Sequence, residues 1–147
     1  MSKKNKKQNT NRELRFPYVP ELLTEILFKT QDELKSFCKS FLKSKGYHPI
    51  NRDGYLYAEG DIPVMLVAHM DTVHKECVDE IFISNKNNIS SPQGIGGDDR
   101  CGVYSILSLI ENTGFRPYIV FTEDEEIGCV GAGKFARQLS DYDIDIN

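Results

Sequence analysis

The segment Val64-Met65-Leu66-Val67-Ala68-His69-Met70-Asp71-Thr72-Val73 decides the fold class. The run from Pro63 to Ala68 has no alternation of polar residues, which is typical of a strand covered on both faces. Tyr118 to Thr122 is a second run of this kind, and Asp99 to Asn112 has the apolar spacing of a helix between them. Because strands alternate with helices, we expect an α/β domain with three layers, in which helices cover both faces of a largely parallel mixed sheet.

Shorter elements are predicted on either side of this unit. Thr30 and Glu33 match a capping box, which predicts the start of a helix that ends at Gly46. The pair Asp53-Gly54 predicts a turn before a short strand. The other predicted elements are helices at 20–28 and 131–139, strands at 55–57, 81–83 and 89–90, a turn at 85–88 and the start of a strand at 141–147.

The bulk composition is that of an ordinary soluble domain. Of the 147 residues, 39% are hydrophobic and 27% are charged, and the net charge of −4 argues against nucleic acid as the main partner. No apolar run has the length of a membrane span, and the basic N-terminus lacks the apolar segment of a secretory signal. We expect residues 1–15 to form a disordered basic tail and residues 16–147 to form the folded part.

The cysteines favour a reducing compartment. They are far apart and form no CxxC pair, which argues against a disulfide framework or a thiolate zinc site. Each lies in or beside an apolar stretch, so we expect each to be a small core residue in a cytoplasmic protein. The four positions are Cys38, Cys77, Cys101 and Cys129.

The first polar cluster follows the first apolar run. His69 and Asp71 are two residues apart, so on an extended chain both side chains leave on one face. Asp71 can then orient an imidazole that binds a metal. A surface pair of histidine and aspartate explains the same spacing about as well.

The second and third clusters supply carboxylates. Asp98 follows a glycine-rich stretch and opens a helix, where it can either bridge two cations or cap the helix. Glu125 and Glu126 end the second apolar strand, where one can bind metal while the other takes a proton from water. A solvated acidic turn is the alternative, and the spacing does not say which glutamate has which role. All three clusters fall at the carboxyl ends of strands, where α/β sheets place their ligands, and their mixture of donors suits a divalent metal.

At this point the chain resembles the co-catalytic zinc metallopeptidase superfamily, especially peptidase T-like tripeptidases and related aminopeptidases, carboxypeptidases and deacylases. The resembling residues are AHMDTV at 68–73, GGDDRCG at 96–102 and FTEDEEIGCVGA at 121–132. The resemblance implies a metal-dependent hydrolase of amide bonds that acts on a peptide or an N-acyl amino acid. It implies zinc as the cofactor, two ions per complete site, with cobalt or manganese as alternatives.

The resemblance also implies roles by position. His69 corresponds to a ligand of the first metal, Asp98 to the carboxylate that bridges both metals, and Glu126 to a ligand of the second. Asp71 corresponds to the acid that orients His69, and Glu125 to the general base. The peptide bond that follows the bridging aspartate is often cis in this superfamily.

Part of the implied site has no clear match in the sequence. Members of the superfamily need a further aspartate at the end of the next strand and a histidine nearer the C-terminus, but His48 and His74 both precede Asp98. The aspartates at 141, 143 and 145 come early for the missing one. We therefore expect the N-terminal part of a catalytic domain, with an incomplete sheet, that is weak or inactive alone. Two alternatives stay open: a deacylase or other amidohydrolase of the same superfamily, and a non-catalytic remnant that binds a partner, such as a complementing chain or an oligomer.

Overall fold

A mixed four-stranded sheet lies at the centre of the described part of the chain. The structure is a computed structural model that describes residues 18–84, 86–142 and 144. The predicted tail at 1–15 lies outside these residues. The strands of this sheet are β1 (Ile50–Arg52), β2 (Tyr55–Ala58), β3 (Ile62–His69) and β6 (Pro117–Thr122), and their spatial order is β1-β2-β6-β3.

The pairings of this sheet follow from one tight turn. The predicted Asp53-Gly54 turn joins β1 to β2 as an antiparallel hairpin, and Gly54 has a φ of +90°, which favours glycine. Strand β2 pairs antiparallel with β6, whereas β3 pairs parallel with β6. The mixed sheet is thus confirmed, although its parallel share is smaller than predicted, because the hairpin runs back across the sheet.

Helices cover both faces of the sheet, as the sequence predicted. The helices α1, α2 and α3 share one core with Leu56, Ile119 and Phe121, while α4 places Phe135 on the opposite face against Tyr55 and Tyr57. Strand β6 is buried along its whole length, because it lies between two strands and two helical layers. The helices are α1 (Glu21–Leu27), α2 (Gln31–Ser44), α3 (Gly97–Thr113) and α4 (Val130–Arg137), followed by a 3-10 turn at Leu139–Asp141.

Two of the predicted helices form for the local reasons that the sequence supplied. At the start of α2, the Thr30 hydroxyl accepts a hydrogen bond from the amide of Glu33, and the Glu33 carboxylate accepts one from the amide of Thr30. Helix α3 ends at Gly114, whose φ of +70° is typical of a glycine C-cap. The apolar spacing that predicted this helix is that of its buried apolar residues, namely Val103, Ile106, Leu107 and Ile110.

The prediction that residues 63–68 form a strand buried on both faces was wrong. Within the described residues β3 is an edge strand that pairs with β6 alone, so Val64 and Val67 stay 47% and 56% exposed. A run without alternation shows that a strand is apolar, but it does not show which place in the sheet the strand takes.

The expectation of four core cysteines was also wrong, since Cys38 is buried and the other three are exposed. The exposed cysteines lie in a loop, on the outer side of α3 and at the N-cap of α4, and none is paired. The helix predicted at 131–139 ends at Arg137, which leaves Leu139 exposed.

Two further strands form a small separate sheet. They are β4 (Phe82–Ile83) and β5 (Ile89–Ser90), which pair antiparallel as the sequence predicted. None of the described helices has both the length and the apolar character that a membrane crossing requires.

Candidate metal centre

The parallel pairing of β3 with β6 brings the first and third clusters together. His69 is in register with Thr122, so both strands end side by side. The amide of Met70 donates to the carbonyl of Thr122 over 2.9 Å, which extends the ladder by one residue. The chain leaves both strands at this edge, with Asp71 on one side and the acidic turn at 123–126 on the other.

Asp71 joins these two clusters. Its carboxylate lies 3.2 Å from Nδ1 of His69, which donates to it because an ionised carboxylate can only accept. The same carboxylate accepts hydrogen bonds from the amides of Glu125 at 3.0 Å and Glu126 at 2.9 Å. Because both side chains of the His69–Asp71 pair are largely buried, the alternative of a surface pair does not hold. Asp71 therefore fixes the imidazole and the two glutamate amides together.

The second cluster enters from the start of α3. Asp98 Oδ1 lies 3.3 Å from the other ring nitrogen of His69, Nε2, although the Asp98 side chain is 90% exposed. Asp98 does not cap the helix; Asp99 accepts the hydrogen bond from the amide of Gly102 at 3.1 Å instead. The peptide bond between Asp98 and Asp99 is cis, as the resemblance implied.

His69, Asp98 and Glu126 form a group whose ligand atoms lie within 4.8 Å of one another. Zinc–nitrogen and zinc–oxygen bonds of about 2.0–2.2 Å separate two ligands of a tetrahedral ion by about 3.4 Å. The 3.3 Å between His69 and Asp98 fits that edge. One imidazole with two carboxylates is also a donor set that suits zinc and related divalent metals. The residues present therefore fit a divalent metal.

The environment of His69 favours its charged form while no metal is bound. Burial alone would lower the pKa of His69, but the charge of Asp71 and the hydrogen bonds with Asp98 and Asp71 outweigh it and raise the pKa above its ordinary value. Of these two carboxylates, Asp98 is the one that a metal ion would share with His69.

Glu125 lies beside the group of three ligands without belonging to it. Its Oε2 is 3.9 Å from Nε2 of His69, and its Oε1 accepts a hydrogen bond from the Cys129 thiol at 3.4 Å. That hydrogen bond and the charge of Glu125 raise the pKa of the Cys129 thiol. The two neighbouring glutamates thus point to different surroundings, as the sequence predicted.

A cleft of about 610 Å³ opens beside the centre. Asp71 and Glu126 line it, whereas His69 and Asp98 do not, so the cleft reaches the group from one side. His74 also lines this cleft, and its ring packs directly on Gly94, where a Cβ would lie 2.2 Å from the ring.

The remaining candidate ligands that the structure describes are not part of the group. His48 lines a separate pocket near the end of α2. Asp141 lies in the 3-10 turn after α4. The other two candidate aspartates, at 143 and 145, lie outside the described residues.

Sequence reasoning missed several groups that hold the site. Lys35 forms a largely buried ion pair with Glu123, and the Gln31 side chain contacts Asp124. Arg100, two positions after Asp98, is buried and donates to carbonyls at the end of α1. No local spacing signals these contacts, because each joins residues more than 70 positions apart.

The fold is similar to that of solved peptidases. A tripeptidase from Staphylococcus aureus superposes with a TM-score of 0.62 at 22% identity, covering 84% of this chain and 40% of that chain. The aminopeptidase PepT from Bacillus cereus superposes with a TM-score of 0.57 at 20% identity, covering 76% of this chain and 38% of that chain. No family model and no curated protein matches the chain. The chain thus has a peptidase-like α/β fold that spans about 40% of the length of these structures.

Proposed function

We propose that this chain carries part or all of the metal centre of a peptidase-like hydrolase that cleaves amide bonds. The observation that carries the proposal is the convergence of His69, Asp98 and Glu126 from three separate parts of the chain. The Asp71 carboxylate accepts hydrogen bonds from the His69 ring and from the Glu126 amide. The similarity of the fold to a tripeptidase and an aminopeptidase supports the same class.

The roles proposed for the residues follow from their contacts. His69, Asp98 and Glu126 would hold divalent metal, with zinc favoured by the donor set and Asp98 in the bridging position. When bound, such ions polarise an amide carbonyl and activate water. Glu125, beside the group and partly exposed, would accept a proton at Oε2, the oxygen that faces His69. Asp71 would keep the imidazole in the orientation in which Nε2 faces the metal.

The proposed substrate is a peptide, with an N-acyl amino acid as the alternative. The residues of the centre are the same for both, so a substrate screen has to separate a peptidase from a deacylase. A cytoplasmic location is part of the proposal, supported by four cysteines that are all free.

A non-catalytic protein that binds a partner is the second candidate function. The exposed edge strand β3, with Val64 and Val67 outward, favours it, because an open apolar edge can pair with another chain. A partner that co-purifies with the chain and supplies further metal ligands would support this candidate.

The proposal is tested by metal-dependent hydrolysis of di- and tripeptides and of N-acyl amino acids with added zinc, cobalt or manganese. The three described ligands are few for two ions, so we expect activity of the 147-residue chain to be absent or weak. Any turnover should need metal, disappear in Glu125→Gln and persist in Asp79→Ala, which changes an exposed aspartate away from the centre. Turnover that survives Glu125→Gln or metal chelation would contradict the proposal.

A further inference from the structure

Two side chains near the start of α2 contact the acidic turn at 123–126. Gln31 and Lys35 are four positions apart on this helix, so their side chains lie on one face, one above the other. Gln31 contacts Asp124 and Lys35 contacts Glu123. These are the two residues that come before Glu125 in the turn.

Lys35 contacts the first residue of the turn. Its ammonium group pairs with the Glu123 carboxylate and donates to the carbonyl of Arg52 at 2.7 Å. The side chains of Lys35 and Glu123 are only 12% and 10% exposed, so water has little access to this ion pair. Lys35 therefore joins α2, the β1–β2 hairpin and the end of β6 at one point.

The backbone of Glu123 reinforces the same point. Its amide donates to the carbonyl of Gly54 at 2.9 Å, and its carbonyl accepts from the amide of Gly131 at 2.9 Å. Gly131 approaches so closely that a Cβ would lie 2.5 Å from the Glu123 carbonyl oxygen. The side chain and the backbone of Glu123 are thus both held.

Gln31 contacts the second residue of the turn. Its amide nitrogen donates to Asp124 Oδ1 at 3.3 Å, and its amide oxygen accepts from the backbone amide of Asp124 at 3.4 Å. Asp124 has a φ of +58°, in the left-handed region that L residues adopt rarely. A pair of hydrogen bonds to one side chain favours this conformation, which turns the chain towards Glu125.

The other half of the turn is held by Asp71. Its carboxylate accepts from the amides of Glu125 and Glu126, as described above. The turn is therefore fixed on one side by α2 and on the other by the residue next to the metal group.

We propose that Lys35 and Gln31 are positioning residues for Glu125 and Glu126. This inference rests on the proposed function, in which these glutamates serve as general base and metal ligand. Loss of Lys35 leaves the Glu123 carboxylate buried without its cation, and it would have to turn towards water. That movement would loosen the backbone of the next three residues and the hydrogen bonds to Asp71.

The first test needs no metal and measures amide hydrogen exchange by NMR in the metal-free chain. In Lys35→Met, the amides of Glu125 and Glu126 should exchange about tenfold faster relative to interior amides of α3 such as that of Leu107. A role in general stability alone would accelerate all of these amides by the same factor. Lys39→Met, one turn further along α2 and with no recorded ion pair among the described residues, is the matched control and should change none of them.

The second test measures cobalt affinity by the visible absorption of the bound ion, well below the unfolding temperature of each variant. Lys35→Met should weaken cobalt binding about tenfold, since partners that orient metal ligands typically contribute this much. The same change made in a Glu126→Gln background should weaken binding no further, because the effect of Lys35 acts through Glu126. Gln31→Ala should shift both readouts in the same direction by less, and it keeps the test usable if Lys35→Met does not fold.

The outcomes separate the two proposals. Selective exchange at Glu125 and Glu126 together with weaker, non-additive cobalt binding supports the positioning role. Unchanged exchange of the Glu125 and Glu126 amides overturns it. Faster exchange of these amides with unchanged cobalt affinity overturns it as well. A wild-type chain that binds no cobalt overturns the proposed function, and the exchange result alone then decides whether Lys35 and Gln31 hold the turn.

Discussion

Replacement of Arg100 by methionine is expected to lower the free energy of unfolding by about 3 kcal/mol. Arg100 is only 7% exposed and opens the regular part of α3, directly after Asp98 and Asp99. Its Nη1 donates to the carbonyls of Ile26 at 3.0 Å and Leu27 at 3.2 Å, which end α1, and to that of Lys29 just after the helix. One side chain therefore connects α1 to the segment that carries Asp98.

The magnitude follows from counting the carbonyls that would lose a partner. The Ile26 carbonyl also accepts from the amide of Lys29, so it stays bonded. Within the described residues the carbonyls of Leu27 and Lys29 accept no other hydrogen bond; the first contact is buried and the second is partly buried. An unsatisfied buried carbonyl costs about 1–3 kcal/mol. Part of this loss is recovered, because burial disfavours the guanidinium and lowers the pKa of Arg100. Two such carbonyls would cost about 2–6 kcal/mol together, and the recovered part places the net loss at about 3 kcal/mol, in the lower half of that range.

Urea unfolding followed by far-ultraviolet circular dichroism measures this loss, and a fall in Tm of about 10 °C should accompany it. Arg137→Met is the control, since Arg137 is exposed at the end of α4 and should matter by less than about 0.5 kcal/mol. A loss below about 1 kcal/mol in Arg100→Met with an unchanged m value would refute the reasoning.

Three further predictions concern the core, the start of α2 and the thiols. Leu107→Ala should lose about 3 kcal/mol on urea unfolding, because Leu107 is fully buried, whereas Leu109→Ala on the outer side of the same helix should lose less than about 1 kcal/mol; equal losses would contradict the packing of α3. Thr30→Ala should lose about 1 kcal/mol near neutral pH, and a loss that is undetectable there would contradict the cap. The backbone and side-chain hydrogen bonds of Thr30 lower the pKa of Glu33. The contribution of Glu33 to stability is therefore present above its unfolded-state pKa and is lost as the pH falls through its folded-state pKa. Thr30→Ala should accordingly differ less from wild type in acid. Thiol titration with Ellman's reagent should count three reactive groups in the native chain and a fourth after unfolding, because burial raises the pKa of Cys38 to about 12; four fast thiols in the native chain would contradict its burial.

The sequence predicted best those features that depend on neighbouring residues. The capping box at Thr30 and the inward face of α3 rest on spacings of three and four residues, and both are present. The buried character of β6 follows from its composition, and the structure confirms it. The pairing of His69 with Asp71 follows from the period of an extended chain, which persists to the end of β3.

Features that depend on the arrangement of distant elements could not be predicted in the same way. The exposure of Val64 is set by the place of β3 at the edge of the sheet, and its local sequence is that of a buried strand. The hydrogen bonds of Asp71 to Glu125 and Glu126 span more than 50 residues, so they need the β3–β6 pairing first. Charged side chains usually lie at the surface, so the sequence did not indicate that Arg100 is buried. For the same reason it did not indicate the burial of Glu123, which pairs with Lys35.

The central claim about this chain is that His69, Asp98 and Glu126 bind a divalent metal. Calorimetric titration of the metal-free chain with zinc tests this, with Asp98→Ala compared against Asp79→Ala, an exposed aspartate outside the group. We predict weak binding of zinc, below two ions per chain, that Asp98→Ala reduces and Asp79→Ala leaves unchanged. Zinc binding that is equal in wild type and Asp98→Ala, or two tightly held ions in the purified chain, would contradict it.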